Sequence, residues 1–154
     1  PFAIQSGGHM PVPGASSIDR GILIDMSALI EVKYTPGDQM VTVGSCARWI
    51  DVYSTLEPHN VTVVGGRIEN IGAGGLILRG GLSWFSDKYG LACDNVVDFE
   101  IILANGTLRH DNASNNEDLF WELKGAGNNF GVITKLTLRT YSIGSIWGYS
   151  VLYV

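Results

Sequence analysis

The chain has 154 residues, a hydrophobic fraction of 45% and a net charge of −5, which suits one domain, or two small ones, with a real core. It has no Lys/Arg run and no stretch approaching 18 apolar residues, so neither a nucleic-acid partner nor a membrane span is expected. Glycine fills 20 positions, nearly twice the usual ~7%, and its clusters at 65–66, 72–75, 80–81 and 125–131 point to local backbone tasks.

Pro1 to Gln5 reads as a strand, Gly21 to Met26 as a second, and Met40 to Gly44 as a third after the Pro36-Gly37-Asp38 turn. In ARWIDVYSTLEPH, the residues Trp49, Ile50, Tyr53 and Leu56 fall at helical spacing, and Pro58 ends that helix. Val61 to Val64 returns as strand, and Gly65 to Gly90 gives no clear pattern. Phe99, Ile101 and Leu103 alternate with Glu100 and Ile102, and Asn105-Gly106 marks a tight hairpin turn. Ser114-Asn115-Asn116-Glu117 reads as a capping box. The helix it opens turns Leu119, Phe120 and Leu123 inward and stops at Gly125, a left-handed cap. VITKLTLRT is a half-buried strand, with Leu136 and Leu138 on one face and Lys135, Thr137 and Arg139 on the other. Boundaries are expected near Gly65-Gly66 and after Tyr141.

Cys46 and Cys93 allow one disulfide or two buried thiols. Sequons at Asn60, Asn105 and Asn112 hint at secretion. No signal peptide can be judged, because the chain opens in mid-strand without Met; it ends in mid-pattern at WGYSVLYV and reads as a piece of a longer protein.

Three glycine segments carry the chemistry. Ser6-Gly7-Gly8-His9 is either a turn with a chance histidine or an anion cradle, whose successive N–H groups converge on a phosphate. Gly72-Ala73-Gly74-Gly75, followed by Gly80-Gly81, misses the dinucleotide fingerprint at Ile77 and contains no Walker loop. That leaves a second close backbone approach to a large ligand, or a packed turn. Gly125 to Gly131 follows a helix and precedes a strand, the wrong order for a cofactor fingerprint. No G-x-S-x-G, H-E-x-x-H or C-x-x-C occurs, so hydrolase and metal readings lack support. His59 and His110 read as solvated, and Asp94 and Asn95 as loop-end residues unless a ligand lies beside them.

From about Pro1 to Tyr141, the order S-G-G-H, GILIDMS, VTVGSCARW, GGRIENIGAGGLILRGGLSWFSDKYGLACDNVVDFEIILANGT and NEDLFWELKGAGNNFGVITKLTLRTY carries a family likeness. It resembles the flavin-binding domain of the vanillyl-alcohol oxidase and p-cresol methylhydroxylase superfamily, in the berberine-bridge-enzyme-like branch with oligosaccharide and nicotine oxidases. The resemblance implies an α+β fold of two subdomains, 1–66 and 67–141, with FAD between them. Residues 142–154 would begin a truncated substrate domain.

By the same resemblance, Ser6, Gly7, Gly8, His9 and Met10 wrap the FAD pyrophosphate, and His9 bonds covalently to the flavin 8α-methyl carbon. A neutral imidazole is a competent nucleophile near neutral pH. Gly72, Gly74, Gly75, Gly80 and Gly81 form the second wall. Asp94 and Val96 lie near the adenosine end, and Gly131, Val132 and Ile133 lay backbone against the polar edge of the ring. The diphosphate is expected to be neutralised by backbone dipoles without a positive side chain. Ile68 stands where some members carry a cysteine that makes a second flavin bond, so a single link is expected. The implied activity is oxidation of a sugar, alcohol or secondary metabolite, with molecular oxygen as acceptor and the catalytic base outside this chain. A dehydrogenase using another acceptor and a non-catalytic remnant are the alternatives.

Overall fold

The first two expected strands form, as Phe2–Gln5 (β1) and Ile22–Asp25 (β2), which pair in parallel from Phe2 beside Ile22 to Gln5 beside Asp25. The computed structural model describes residues 1–149 and 151–153. Val32–Thr35 (β3) is a strand the sequence did not signal, and it pairs antiparallel with Met40–Gly44 (β4). The helix Trp49–Leu56 (α1) buries Trp49, Val52 and Leu56. Ile50, expected on the apolar stripe, is exposed. The stripe runs through 49, 52 and 56, at i, i+3 and i+7, and a residue one step after Trp49 is rotated off it. Pro58 lies past the helix end, inside the 3-10 turn Glu57–His59 that precedes Val61–Thr62 (β5).

The unpatterned glycine region contains two short helices, Ala73–Ile77 (α2) and Ser86–Tyr89 (α3). A 3-10 turn at Ala92–Asn95 leads into Val96–Ile102 (β6), which pairs antiparallel with Leu108–Asn112 (β7) across the expected hairpin. Glu117–Glu122 (α4) buries Phe120, with Leu123 buried at its end, but the Ser114 capping box does not form. Asn112 Oδ1 accepts the N–H groups of Ser114 and Asn115 at 3.0 Å each, and the helix starts after Asn116 in the left-handed region (φ 56°). The Asn112 side chain therefore closes the turn that the serine was expected to close. Gly125 does adopt positive φ just past the helix.

Val132–Arg139 (β8) and Tyr141–Ser142 (β9) complete the described elements, β9 pairing with β5. β8 is the centre of an antiparallel sheet of order β3-β4-β8-β6-β7. One face of this sheet is apolar: Val41, Val43, Phe99, Ile101, Leu136 and Leu138 are buried in a single cluster with Trp49, Val52, Leu56, Ile77, Phe120 and Leu123. Each such large side chain contributes roughly 1.5–3 kcal/mol on burial. The boundary expected near Gly65-Gly66 falls within the span of this sheet, since β4 from one side bonds β8 from the other. Past Ser142, the described residues of 143–153 form no strand. Ser150 and Val154, in the segment expected to begin a substrate domain, lie outside the described residues. Cys46 and Cys93 are buried free thiols.

Candidate functional site

The β1 end, the loop that follows it and the 67–82 segment enclose a cleft of about 1070 Å3, at the upper limit of ordinary ligand pockets. Its first wall is Ser6, Gly7, Gly8, His9 and Met10; its second includes Gly72, Gly74, Gly75 and Gly81; Gly131, Val132 and Ile133 close a third side. Gly80, Asp94 and Val96 do not line it. The Gly80 carbonyl accepts the Cys93 N–H at 2.9 Å, Asp94 Oδ2 accepts the Leu91 N–H at 2.8 Å, and Val96 is buried at the start of β6. These three shape the neighbouring turn.

The first two walls are fastened by glycine. A Cβ on Gly7 would sit 2.8 Å from Gly72 Cα, so the two chains cross with no room for a side chain. The Ser45 carbonyl joins the same walls, accepting the Ser6 hydroxyl at 2.7 Å and the Gly74 N–H at 3.2 Å. Arg48 Nη1 adds bonds to the carbonyls of Gly7 and Asn70, at 3.1 and 2.7 Å. Ser6 therefore spends its proton on the fold. Gly8 holds φ +67°, which turns the loop toward His9. Tyr53, its phenol pushed up by burial, donates to the Gly66 carbonyl at 2.7 Å and steadies the entry to the second wall.

Gly75 differs from its neighbours. A Cβ there meets nothing within 4 Å, so its bare backbone faces open cleft. On the third side, a Cβ at Gly131 would come 2.5 Å from the Ile102 carbonyl, which fixes glycine at the base of β8. Apolar walls (Ile4, Met26, Leu76, Leu78) with bare backbone at the loops suit a large, flat ligand carrying a polar or anionic segment. FAD meets that description.

His9 is exposed on the cleft. His59 tilts against Tyr34 and His110 bonds Asp98, whereas His9 has no such partner among the described residues. Ile68 also lines the cleft and is 62% exposed, so that position carries no thiol. Cys93 lies elsewhere, and burial followed by the charge of Asp94 pushes its thiol up.

Sequence reasoning missed the charge of the site. Arg67 and Arg79 both line the cleft, and no carboxylate does. The backbone dipoles expected to neutralise the diphosphate thus have two arginines beside them in the cleft. The signal was present as two arginines inside the glycine-rich segment, read only for its glycines. Asn95, passed over as a loop-end residue, is buried: its Nδ2 donates to the carbonyls of Tyr89 and Leu91, and its Oδ1 accepts the Tyr141 hydroxyl. It ties the turn behind the cleft to β9.

The FAD binding domain family matches residues 1–112. An FAD-dependent monooxygenase of Cochliobolus heterostrophus is 50% identical over 148 residues, 96% of this chain and 29% of that protein. Among solved structures, 6-hydroxy-D-nicotine oxidase from Arthrobacter nicotinovorans aligns with a TM-score of 0.87 and 29% identity, covering 92% of this chain and 31% of that one. Xylooligosaccharide oxidase from Myceliophthora thermophila aligns with 0.84 and 30%, covering 92% and 30%. The chain thus spans under a third of the length of these relatives.

Proposed function

The chain belongs to the FAD binding domain family, and from that premise we propose that its cleft holds FAD for a flavin-dependent oxidoreductase that oxidises a small molecule. The observation that carries the reading is the convergence of the Ser6–Met10 loop, the Gly72–Gly75 segment and the Gly131–Ile133 strand start on one cleft free of carboxylates. When bound, FAD would supply the two-electron chemistry, as acceptor of the substrate's hydride with oxygen as the onward acceptor.

The chain's own part is to bind and orient. The Gly7–Gly8–His9 backbone would hold the diphosphate through its N–H groups, and Gly75, open to the cleft, would let the dinucleotide lie against bare peptide. Gly131 and Val132 would present backbone to the ring's polar edge, and Leu76 and Leu78, also on the cleft, would keep water from the bound cofactor. His9 would hold the flavin covalently: the 8α-methyl group gives up a proton, the imidazole nitrogen bonds that carbon, and the electron pair reduces the flavin, which oxygen re-oxidises; the His9 ring is exposed and without a partner among the described residues. With Ile68 rather than a cysteine on the cleft, that link would be single. Extracellular placement rests on the exposed sequon asparagines Asn60 and Asn105. Asn112 is engaged, its Nδ2 donating to Asp98 at 2.9 Å.

The test begins with acid precipitation of the purified full-length protein. Flavin should remain in the washed pellet and move to the supernatant in His9→Ala. Flavin that is already free in the wild type would remove the covalent link, and no flavin in either fraction would remove the function. A monooxygenase is the second reading, favoured by the 50% identical relative. Oxidase turnover yields one hydrogen peroxide per substrate oxidised, whereas monooxygenation gives an oxygenated product and no stoichiometric peroxide. Turnover that needs an acceptor other than oxygen would replace both with a dehydrogenase.

A further inference from the structure

We propose that Arg79 is the side chain that grips the FAD diphosphate, an assignment that rests on FAD occupying the cleft. Arg67 and Arg79 are the cleft's cationic side chains, in a chain whose net charge is −5. The two arginines are differently committed. Arg67 lies over the Trp84 ring, 5.4 Å from its centroid. The hydrogen-bonding or ion-pairing arginines are Arg20, Arg48 and Arg109, so the Arg79 guanidinium has no partner among the described residues.

A guanidinium that a ligand covers without pairing is costly, and one that meets an anion there is strongly held. Arg79 follows α2, the element whose start is locked to the Ser6–His9 loop through Gly72 and the Ser45 carbonyl. Seven residues at the helical rise of ~1.5 Å place it about 10 Å along the same wall. The fork of an arginine matches two phosphate oxygens at once, while the loop's backbone N–H groups take others from the opposite wall. The isoalloxazine and the ribityl chain are neutral in the oxidised cofactor, so the diphosphate is the anion available to it.

The test uses full-length apoprotein carrying His9→Ala, in which flavin binding is reversible. FAD, ADP and riboflavin are each titrated against this protein and against the same protein with Arg79→Gln or Arg79→Lys added. The proposal expects Arg79→Gln to weaken FAD and ADP by about tenfold to a hundredfold, the loss of a charge-assisted bond. Riboflavin, which lacks phosphate, should change by less than about twofold, and Arg79→Lys should recover part of the loss. Apoprotein melting temperatures should coincide, because Arg79 holds nothing in the fold. Undiminished FAD and ADP affinity in Arg79→Gln overturns the assignment, as does a riboflavin loss equal to that of FAD. If the His9→Ala protein takes up no FAD while wild type also purifies without flavin, the parent reading falls and this one with it. FAD uptake that ignores Arg79 sinks this one alone.

Discussion

The Ser45 carbonyl oxygen, by accepting from both Ser6 and Gly74, makes two adjacent glycines behave in opposite ways. A Cβ at Gly74 would lie 2.6 Å from that oxygen. Gly74→Ala should therefore destabilise the fold by about 1–3 kcal/mol, as overpacking does. Gly75→Ala meets no protein atom and removes a helix glycine, so the apoprotein should gain up to about 1 kcal/mol. The same methyl fills space in the cleft, and flavin retention should fall. Thermal melts of apoprotein and holoprotein for both variants check this; a Gly75→Ala protein that keeps its flavin as well as wild type would deny the backbone approach. The glycines were legible in sequence because close approaches leave a compositional mark. Arg79 was not, since an arginine in a cleft and one on a surface look alike until the walls are placed. Ser6 was legible as a cleft residue but not for its task, because nothing in the sequence says where a hydroxyl proton goes.

Among the elements, β6, β7 and β8 gather Asp98, Glu100, His110 and Lys135 on the face opposite the core, while the Arg109–Asp111 pair shares the side of Ile101 and Phe99. His110 Nδ1 bonds Asp98 at 2.7 Å, with Glu100 3.7 Å from its Nε2 and Lys135 3.3 Å from Glu100. The Asp98 hydrogen bond, partly offset by burial and helped by the charges of Asp98 and Glu100, raises His110 from 6.5. Burial pushes Glu100 up, but the bonds from Thr134 and Lys135 and the charges of Lys135 and His110 outweigh it, and it falls from 4.5. Stability from protonated His110 is full below 6.5 and drains as pH climbs through its raised value; that from ionised Glu100 is full above 4.5 and drains as pH drops through its lowered value. The cluster should thus favour the fold most between those two limits. Melting temperature should decline above the window, and His110→Gln should flatten that decline. With His110 59% exposed, the effect is small and salt-sensitive; an unchanged slope in His110→Gln would assign the decline elsewhere. The longer strands and the hairpin here were readable from alternation and Asn105-Gly106. β3 was not, because Val32, Lys33, Tyr34 and Thr35 are too few to show a period. The α4 start misled because Asn112, outside the motif, closed the turn.

Across the whole molecule, the β1–β2 pair and the five-stranded sheet differ in how well they are covered. β1 and β2 expose Phe2 (63%) and Ile22 (70%), along with Leu23 and Ile24, whereas the five-stranded sheet is sealed on one face by α1, α2 and α4. Amide hydrogen exchange on the 154-residue chain should find β1 and β2 fast and β4, β6 and β8 slow. Added FAD should slow the cleft segments 6–10, 72–82 and 131–133 most; protection spread evenly over the chain would argue against the cleft as the binding place. The order of the strands also bears on how the molecule is made. β8 is the last long strand among the described residues, yet it bridges the two hairpins, β3–β4 and β6–β7, that precede it. During synthesis those hairpins must wait, each with an unpaired apolar edge, until residues 132–139 leave the ribosome. Because Gly131 begins that same strand, the cleft gains its third side only when the sheet closes. Cofactor capture is then tied to the final step of sheet assembly, and a nascent chain stopped short of β8 has nowhere to keep a flavin.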